Sequence, residues 1–351
     1  MQVRFMKTIE TLVIGAGQAG LAAAWHLKKN QVNYLILEAT NQIGGSWHHY
    51  YDSLKLFSPA AYSSLPDLSF PKTAHGYPLR DEVIDYLKSY AEKFNFPIQL
   101  NESVISVTPN DQGFEVLTSQ NNCYQTKTLI AASGAFAKPY IPKIKGLDKF
   151  KGKIIHSAEY LNPQSYINQK IVVVGAANSA VQIAAELGTS SNVTIATREK
   201  IKFFPQKILG MDFHWWLKWT GLEKTRWLND QSTPVLDDGR YRAALKSGLF
   251  QQREIFTEVD ESGVIWSNGA KEEIDTLLFA TGFRPNVSYL DGLKVIDSNQ
   301  NLIQRNGVSD AHSGLYFLGF PKQRNFASAT LRGVGADAAY IMPFLLKDLK
   351  S

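Results

Sequence analysis

A chain of 351 residues with 44% hydrophobic and 20% charged side chains has the balance of a water-soluble globular protein, with length enough for two modest domains. The formal charge of +5 comes from scattered lysines and arginines, which gives no support to a nucleic-acid partner. The single cysteine, Cys123, excludes an internal disulfide framework and a paired-thiol redox centre, and no apolar run reaches the ~20 residues of a membrane span.

The first strand begins near Thr8, which leaves no room for a signal peptide, and one cysteine suits a reducing compartment; a cytoplasmic location is expected. In "ETLVIGAGQAGLAAAWHLKKNQVNYLILEAT" an apolar run, Leu12 to Ile14, enters a glycine turn. Leu21, Ala24, Trp25 and Leu27 then follow helical spacing, and "NYLILE" closes a βαβ unit with a right-handed crossover. Gly15 suits the tight turn, Gly17 a close approach to a pyrophosphate, and Gly20 helix–strand packing. Gln18 and Ala19 open the helix, whose N–H groups and dipole favour phosphate. Glu38, just before Ala39, ends the second strand where a carboxylate can accept from an adenosine ribose. The plain alternative, glycines serving only a turn, leaves that acid unexplained.

Next comes "NQIGGSWHHYYDSLKLFSPAAYSSLP". Gly44 and Gly45 allow a second close backbone approach, and Ser46, Trp47, Tyr50 and Tyr51 offer walls for a flat ring, or ordinary aromatic core. The seven histidines show no ligand spacing, so no metal site is expected. Two strands, "TLIAASGAFAKPYIPKIKG" and "TLLFATGFRPN", end in Ser133-Gly134 and Thr281-Gly282 before proline-bearing departures. They read as the two crossings between a first domain, residues 1–149 and 275–351, and an inserted second domain, residues 150–274.

The inserted domain opens with a second turn, "KIVVVGAANSAVQIAAELG". Gly175 keeps the turn glycine, but Ala177 replaces the approach glycine and Ala180 the packing glycine, with Asn178 and Ser179 between them. The strand after it ends in Thr197-Arg198 where an acid would meet a free 2′-hydroxyl. Arginine there suits a 2′-phosphate, with Lys200 and Lys202 adding to the field, so NADPH is expected over NADH; a plain solvated surface charge is the alternative. Two turns imply two dinucleotides, one resident and one visiting, on an α/β fold with two Rossmann-like dinucleotide-binding domains. Further on, "DFHWWLKWTGLEKTRWL" places Trp215, Trp216, Trp219 and Trp227 together as a substrate lid or domain-packing element in preference to a membrane-surface helix. In "PKQRNFASATLRGVGADA", Gln323, Arg324 and Asn325 are expected to reach the nicotinamide or substrate, and Arg332 with the backbone from Gly333 to Asp337 to border a flavin edge. The last helix carries Pro343, expected to kink or restart it.

Between the two turns stands "FKGKIIHSAEY", in which Phe150, Gly152, His156 and Tyr160 fit FxGxxxHxxx(Y/F). With both turns, the GGxW loop and "FATGFRP", it makes the chain resemble the flavin-containing monooxygenases and their Baeyer–Villiger relatives. The ending Tyr160-Leu161-Asn162 looks more like the former. The resemblance implies FAD, NADPH and dioxygen, with oxygenation of sulfides, amines or ketones through a C4a-hydroperoxyflavin. It implies that His156 sets geometry between the domains, and Trp47, Tyr51, His156 and Asn325 are the expected catalytic set. Eukaryotic members are longer and carry a C-terminal membrane anchor, so this chain looks like the short bacterial soluble type. Ala177 departs from the family pattern, so NADH is expected to be accepted as well. A homodimer is compatible with the chain. Two other readings remain open. One is a flavin reductase or oxidase feeding a quinone, metal, oxygen or protein partner; the other is a flavoprotein accessory of metal resistance.

Overall fold

The computed structural model describes residues 6–73, 75–136, 138–224, 234–298, 301–321 and 323–351. Its N-terminal unit is β1 (Met6–Ile14), α1 (Gln18–Lys29) and β2 (Tyr34–Leu37), with the strands parallel and Leu12 beside Leu35. After α2 (Arg80–Phe94) and β3 (Ile98–Gln99), β4 (Val104–Asn110), β5 (Gly113–Thr118) and β6 (Cys123–Ala131) form an antiparallel run, β6 lying parallel to the other side of β1. Leu12, Val13 and Ile14 read as an unbroken apolar run because β1 is flanked on both edges and covered on both faces.

The chain leaves this sheet through β7 (Lys138–Pro139) and builds a second, parallel sheet. Its strands are β8 (Lys153–His156), β9 (Lys170–Val174), β10 (Asn192–Thr197), β11 (Gln251–Glu254) and β12 (Thr276–Phe279), in the order β11-β10-β9-β12-β8. Helices α3 (Asn178–Leu187), α4 (Phe213–Thr220) and α5 (Arg240–Lys246) belong to this unit. The return strand β13 (Phe283–Arg284) pairs antiparallel with β7, so the two crossings run side by side. β14 (Leu315–Phe317) then rejoins the first sheet beside β6, and α6 (Leu331–Lys350) packs on α1.

The bounds of the inserted domain are corrected at both ends. Residues 275–279 do not return to the first domain: β12 sits between β9 and β8, because "TLLF" is apolar on both faces and needs a neighbour on each edge. The departure also comes earlier than residue 149, since Ile144 and Leu147 already pack against the second unit's core. Pro343 does not restart the last helix; α6 runs unbroken through it, with Ile341, Met342 and Leu345 buried. That burial offsets the roughly 3 kcal/mol of an interior proline.

The two turns repeat at atomic detail. Gly15 N–H donates to Leu37 O at 2.8 Å and Gly175 N–H to Ala196 O at 3.2 Å. A Cβ on Gly15 would stand 2.7 Å from Ala132 O, and one on Gly175 2.5 Å from Ala280 O. They part at the packing position. A Cβ on Gly20 would lie 1.9 Å from Gly15 O, whereas Ala180 is accommodated fully buried, so α3 stands off its turn where α1 is clamped to its own. Gly20→Ala should therefore cost about 2 kcal/mol or more and lower the thermal midpoint, since the obstructing atom is backbone. An unchanged midpoint would contradict the clamp.

Candidate active site

Three helices begin at one cavity. α1 starts after Gly17, α3 after Ala177 and α6 after Thr330; none has a side-chain cap or an acidic residue in its first turn. All three ends border a single cleft of about 1740 Å³ between the two units. Their leading N–H groups and the positive ends of their dipoles therefore gather around one space, which is an anion-binding arrangement.

On the first turn, Gly44 N–H donates to Ala16 O at 3.1 Å, drawing the "GGSW" loop against "GAG". A Cβ on Gly45 would come 3.2 Å from Gly17 Cα, and one on Gly17 would meet only Gly45, so the two backbones bound a strip without side chains. Glu38 is 4% exposed; its carboxylate accepts from Ala16 N–H at 2.7 Å and from Thr40 N–H and Oγ1 at 3.0 and 2.9 Å. Those bonds leave acceptor capacity at the cavity edge, where Ala39 and Thr40 also stand. Trp47 Nε1 donates to Gln18 Oε1 at 3.1 Å, and Gln18 Nε2 to Ala329 O at 2.7 Å, tying loop, α1 and the entrance of α6 together. Burial pushes the Tyr50 hydroxyl up to about 12, so it stays protonated at neutral pH.

Gly15, Gly17, Gln18, Ala19, Glu38, Ala39, Gly45, Ser46, Trp47, Gly134, Gly175, Ala177, Asn178, Ser179, Thr197, Arg198, Thr281 and Gly282 all line the cleft. Gly20 and Ala180 stand behind it in packing positions. Sequence reasoning missed Gln182, Lys55, Phe57, Phe136 and Tyr140, which line it from the flanks of the two turns, the GGSW loop and the first crossing. Each stands a few residues beyond a motif position, where no spacing rule fixes the direction of a side chain.

Other expectations are corrected. Asn325 does not line the cleft: its Oδ1 accepts from Ala327 N–H at 2.9 Å within its own turn. Arg324 binds Asp337 at 3.0 Å instead, and Gln323 is buried away from the cleft. Arg332 pairs with Glu223 across the two units, and Gly333 packs on Ala327; the cleft meets α6 at Ala329, Thr330 and Leu331. Tyr51 lines the cleft as expected and is also a strut, since it is 3% exposed and its hydroxyl donates to Gln182 Oε1 at 2.6 Å. Of the two readings of the tryptophan stretch, the structure supports domain packing: no residue of α4 lines the cleft, and its N-terminal end packs between the units, where Asp212 accepts from Tyr77 at 2.5 Å and from His214 Nδ1 at 2.8 Å. Trp227 lies outside the described residues.

His156 is fully buried beside the crossing strands. Its Nδ1 accepts from Ala158 N–H at 3.2 Å, so its Nε2 carries the hydrogen and donates to Gly282 O at 2.9 Å. Burial pushes the imidazole below the usual histidine value, and the Gly282 carbonyl offsets part of that. It is a neutral pin on the return crossing. Among the described residues no helix is long and apolar enough to cross a membrane.

The residues present fit two dinucleotides. The first turn offers a side-chain-free strip at an uncapped helix, and the second has Asn178 Oδ1 buried with no hydrogen-bond partner among the described residues. The chain matches the pyridine nucleotide-disulphide oxidoreductase family over residues 12–319. It is 36% identical over 345 residues to an uncharacterized CzcO-like oxidoreductase of Geobacillus kaustophilus (strain HTA426), covering 96% of this chain and 98% of that one. It is 31% identical over 371 residues to the probable indole-3-pyruvate monooxygenase YUCCA1 of Arabidopsis thaliana, covering 94% and 88%. The solved flavin-containing monooxygenase from Stenotrophomonas maltophilia matches with a TM-score of 0.87 at 28% identity, over 97% of this chain and 99% of that one.

Burial holds His26, His156 and His214 all below the ordinary 6.5. The unfolded chain then takes up these protons first, so stability is full above that value and falls as pH drops through it, by up to about 1.4 kcal/mol per pH unit for each group. Urea unfolding at about pH 7.5 and about pH 5.5 should give the lower midpoint at the lower pH, and His156→Gln should shrink the gap. Equal midpoints would refute the neutral buried assignment.

Proposed function

The chain belongs to the pyridine nucleotide-disulphide oxidoreductase family, among its flavin-dependent monooxygenases, and from that premise we propose an FAD-dependent, NADPH-using enzyme that oxygenates soft nucleophiles such as sulfides and amines. One observation carries the reading: both glycine turns open on the same cleft, so the residues of both would hold two dinucleotides in one space. FAD would be held by Gly15 to Gly20, Glu38, Gly45 to Trp47 and the entrance of α6. When bound, it supplies the redox chemistry, accepting hydride and activating dioxygen. Gly175 to Ser179, Thr197 and Arg198 would hold the nicotinamide coenzyme.

The protein's own part is placement. Trp47, fixed through Gln18, walls the cleft, and Tyr51 on Gln182 keeps α3 at a set distance from the first unit. Phe57 and Leu331 line the cleft with apolar surface, which keeps water from the reacting centre. Ketones, the Baeyer–Villiger class, are the secondary substrates on this reading. The single cysteine is buried in β6, so the chain has no dithiol relay of its own, which favours oxygenation over disulfide reduction.

Methyl phenyl sulfide should yield its sulfoxide with matching consumption of NADPH and dioxygen. NADPH oxidation that makes peroxide and no sulfoxide would replace this reading with an oxidase. Arg198 is exposed at the cleft edge with no ion pair among the described residues. Arg198→Ala should raise KM for NADPH about tenfold, the worth of a charge-assisted hydrogen bond, with NADH changed less than about twofold. Equal effects on the two coenzymes would remove Arg198 from the coenzyme assignment.

A further inference from the structure

β11 runs parallel to β10 with Gln252 opposite Ile195. From there the Gln252 side chain reaches three points on the segment that carries Arg198. Its Nε2 donates to Thr197 Oγ1 at 2.8 Å and to Glu199 O at 3.2 Å, and its Oε1 accepts from Ile201 N–H at 3.5 Å. A peptide N–H only donates and a carbonyl only accepts, so both ends of the amide are assigned by its partners. Arg198, Glu199 and Lys200 are exposed and border the cleft. The backbone is anchored on either side, by Ile255 N–H to Thr197 O and Val235 N–H to Lys202 O, each at 2.8 Å. Between those anchors, Gln252 supplies the hydrogen bonds to Glu199 and Ile201.

The bond to Thr197 has a second consequence. Because Oγ1 accepts the Gln252 hydrogen, the hydroxyl proton of Thr197 is left for another acceptor, and Thr197 lines the cleft while only 4% exposed. A donor hydroxyl, a guanidinium and an ammonium on one short segment suit a phosphate monoester. Holding that segment in place beforehand removes ordering entropy that binding would otherwise have to overcome.

We propose that Gln252 is a positioning residue for the phosphate end of the coenzyme: it staples the Thr197–Ile201 segment and leaves the Thr197 hydroxyl as a donor, and so makes the site discriminate for a 2′-phosphorylated adenosine. The proposal rests on the reading that the second turn holds the nicotinamide coenzyme. Calorimetric titration of the full flavin-loaded chain with 2′,5′-ADP and with 5′-AMP tests both without turnover. The unaltered protein should prefer 2′,5′-ADP. Gln252→Met, which keeps volume and removes both ends of the amide, should weaken 2′,5′-ADP about tenfold and 5′-AMP less than about twofold. Thr197→Val should reproduce part of that selective loss, and Gln252→Glu, which faces the Glu199 carbonyl without a donor, serves as a second disruption if the methionine variant fails to fold. No preference in the unaltered protein would overturn the coenzyme reading and the proposal together. Preference kept in the Gln252 variants, or an equal loss of both probes, would overturn the proposal alone.

Discussion

The structure depends on where its helices begin. In each sheet the strand before the glycine turn ends at the cleft, and the helix that follows starts there with N–H groups that no side chain caps. Two such starts share one cleft, and α6 adds a third uncapped start there. Buried or semi-enclosed donors without acceptors are costly, so the arrangement is complete only with anionic ligands in place. The sequence can be read as a set of devices for keeping these ends open and close together.

Glycine is one such device, and its uneven use separates the two sites. At the first turn Gly45 lies close to the backbone of Gly17, and Gly20 is pressed onto Gly15, where a methyl group has no room. At the second turn Ala177 and Ala180 stand at the corresponding positions, and the helix sits back enough to bury Ala180. A tighter cradle and a looser one match a cofactor that stays and a coenzyme that comes and goes.

Polar struts hold the two units in register around the cleft. Tyr51 reaches Gln182, Ser53 and Tyr160 share Glu186, Tyr77 meets Asp212, and Arg332 meets Glu223. The crossings are pinned by β7 on β13 and by the neutral His156 on Gly282. These contacts join residues far apart in sequence, and most use a side chain whose type alone suggests a different task. Tyr51 looks like a ring wall, and Arg332 like an anion ligand. Tyr51 still lines the cleft, but its hydroxyl is engaged by Gln182, and Nη1 of Arg332 is engaged by Glu223 across the two units.

The turns, the acid at Glu38, the basic replacement at Arg198 and the α/β class were legible in the residues themselves, because each follows from short-range stereochemistry: a turn needs its glycine and a buried strand its apolar run. The two crossings were legible as strands ending in Ser133-Gly134 and Thr281-Gly282, but the sheet that takes residues 276–279 was not, since an apolar tetrapeptide fits any sheet that offers two neighbours, and only packing shows which one received it. Asn325 and Arg332 were misplaced for a related reason, as a polar side chain in a loop has no periodicity to fix its direction. Gln252 gave no local signal at all. Its meaning arises from the register of two parallel strands, which brings one amide beside three atoms that the chain places about fifty residues earlier.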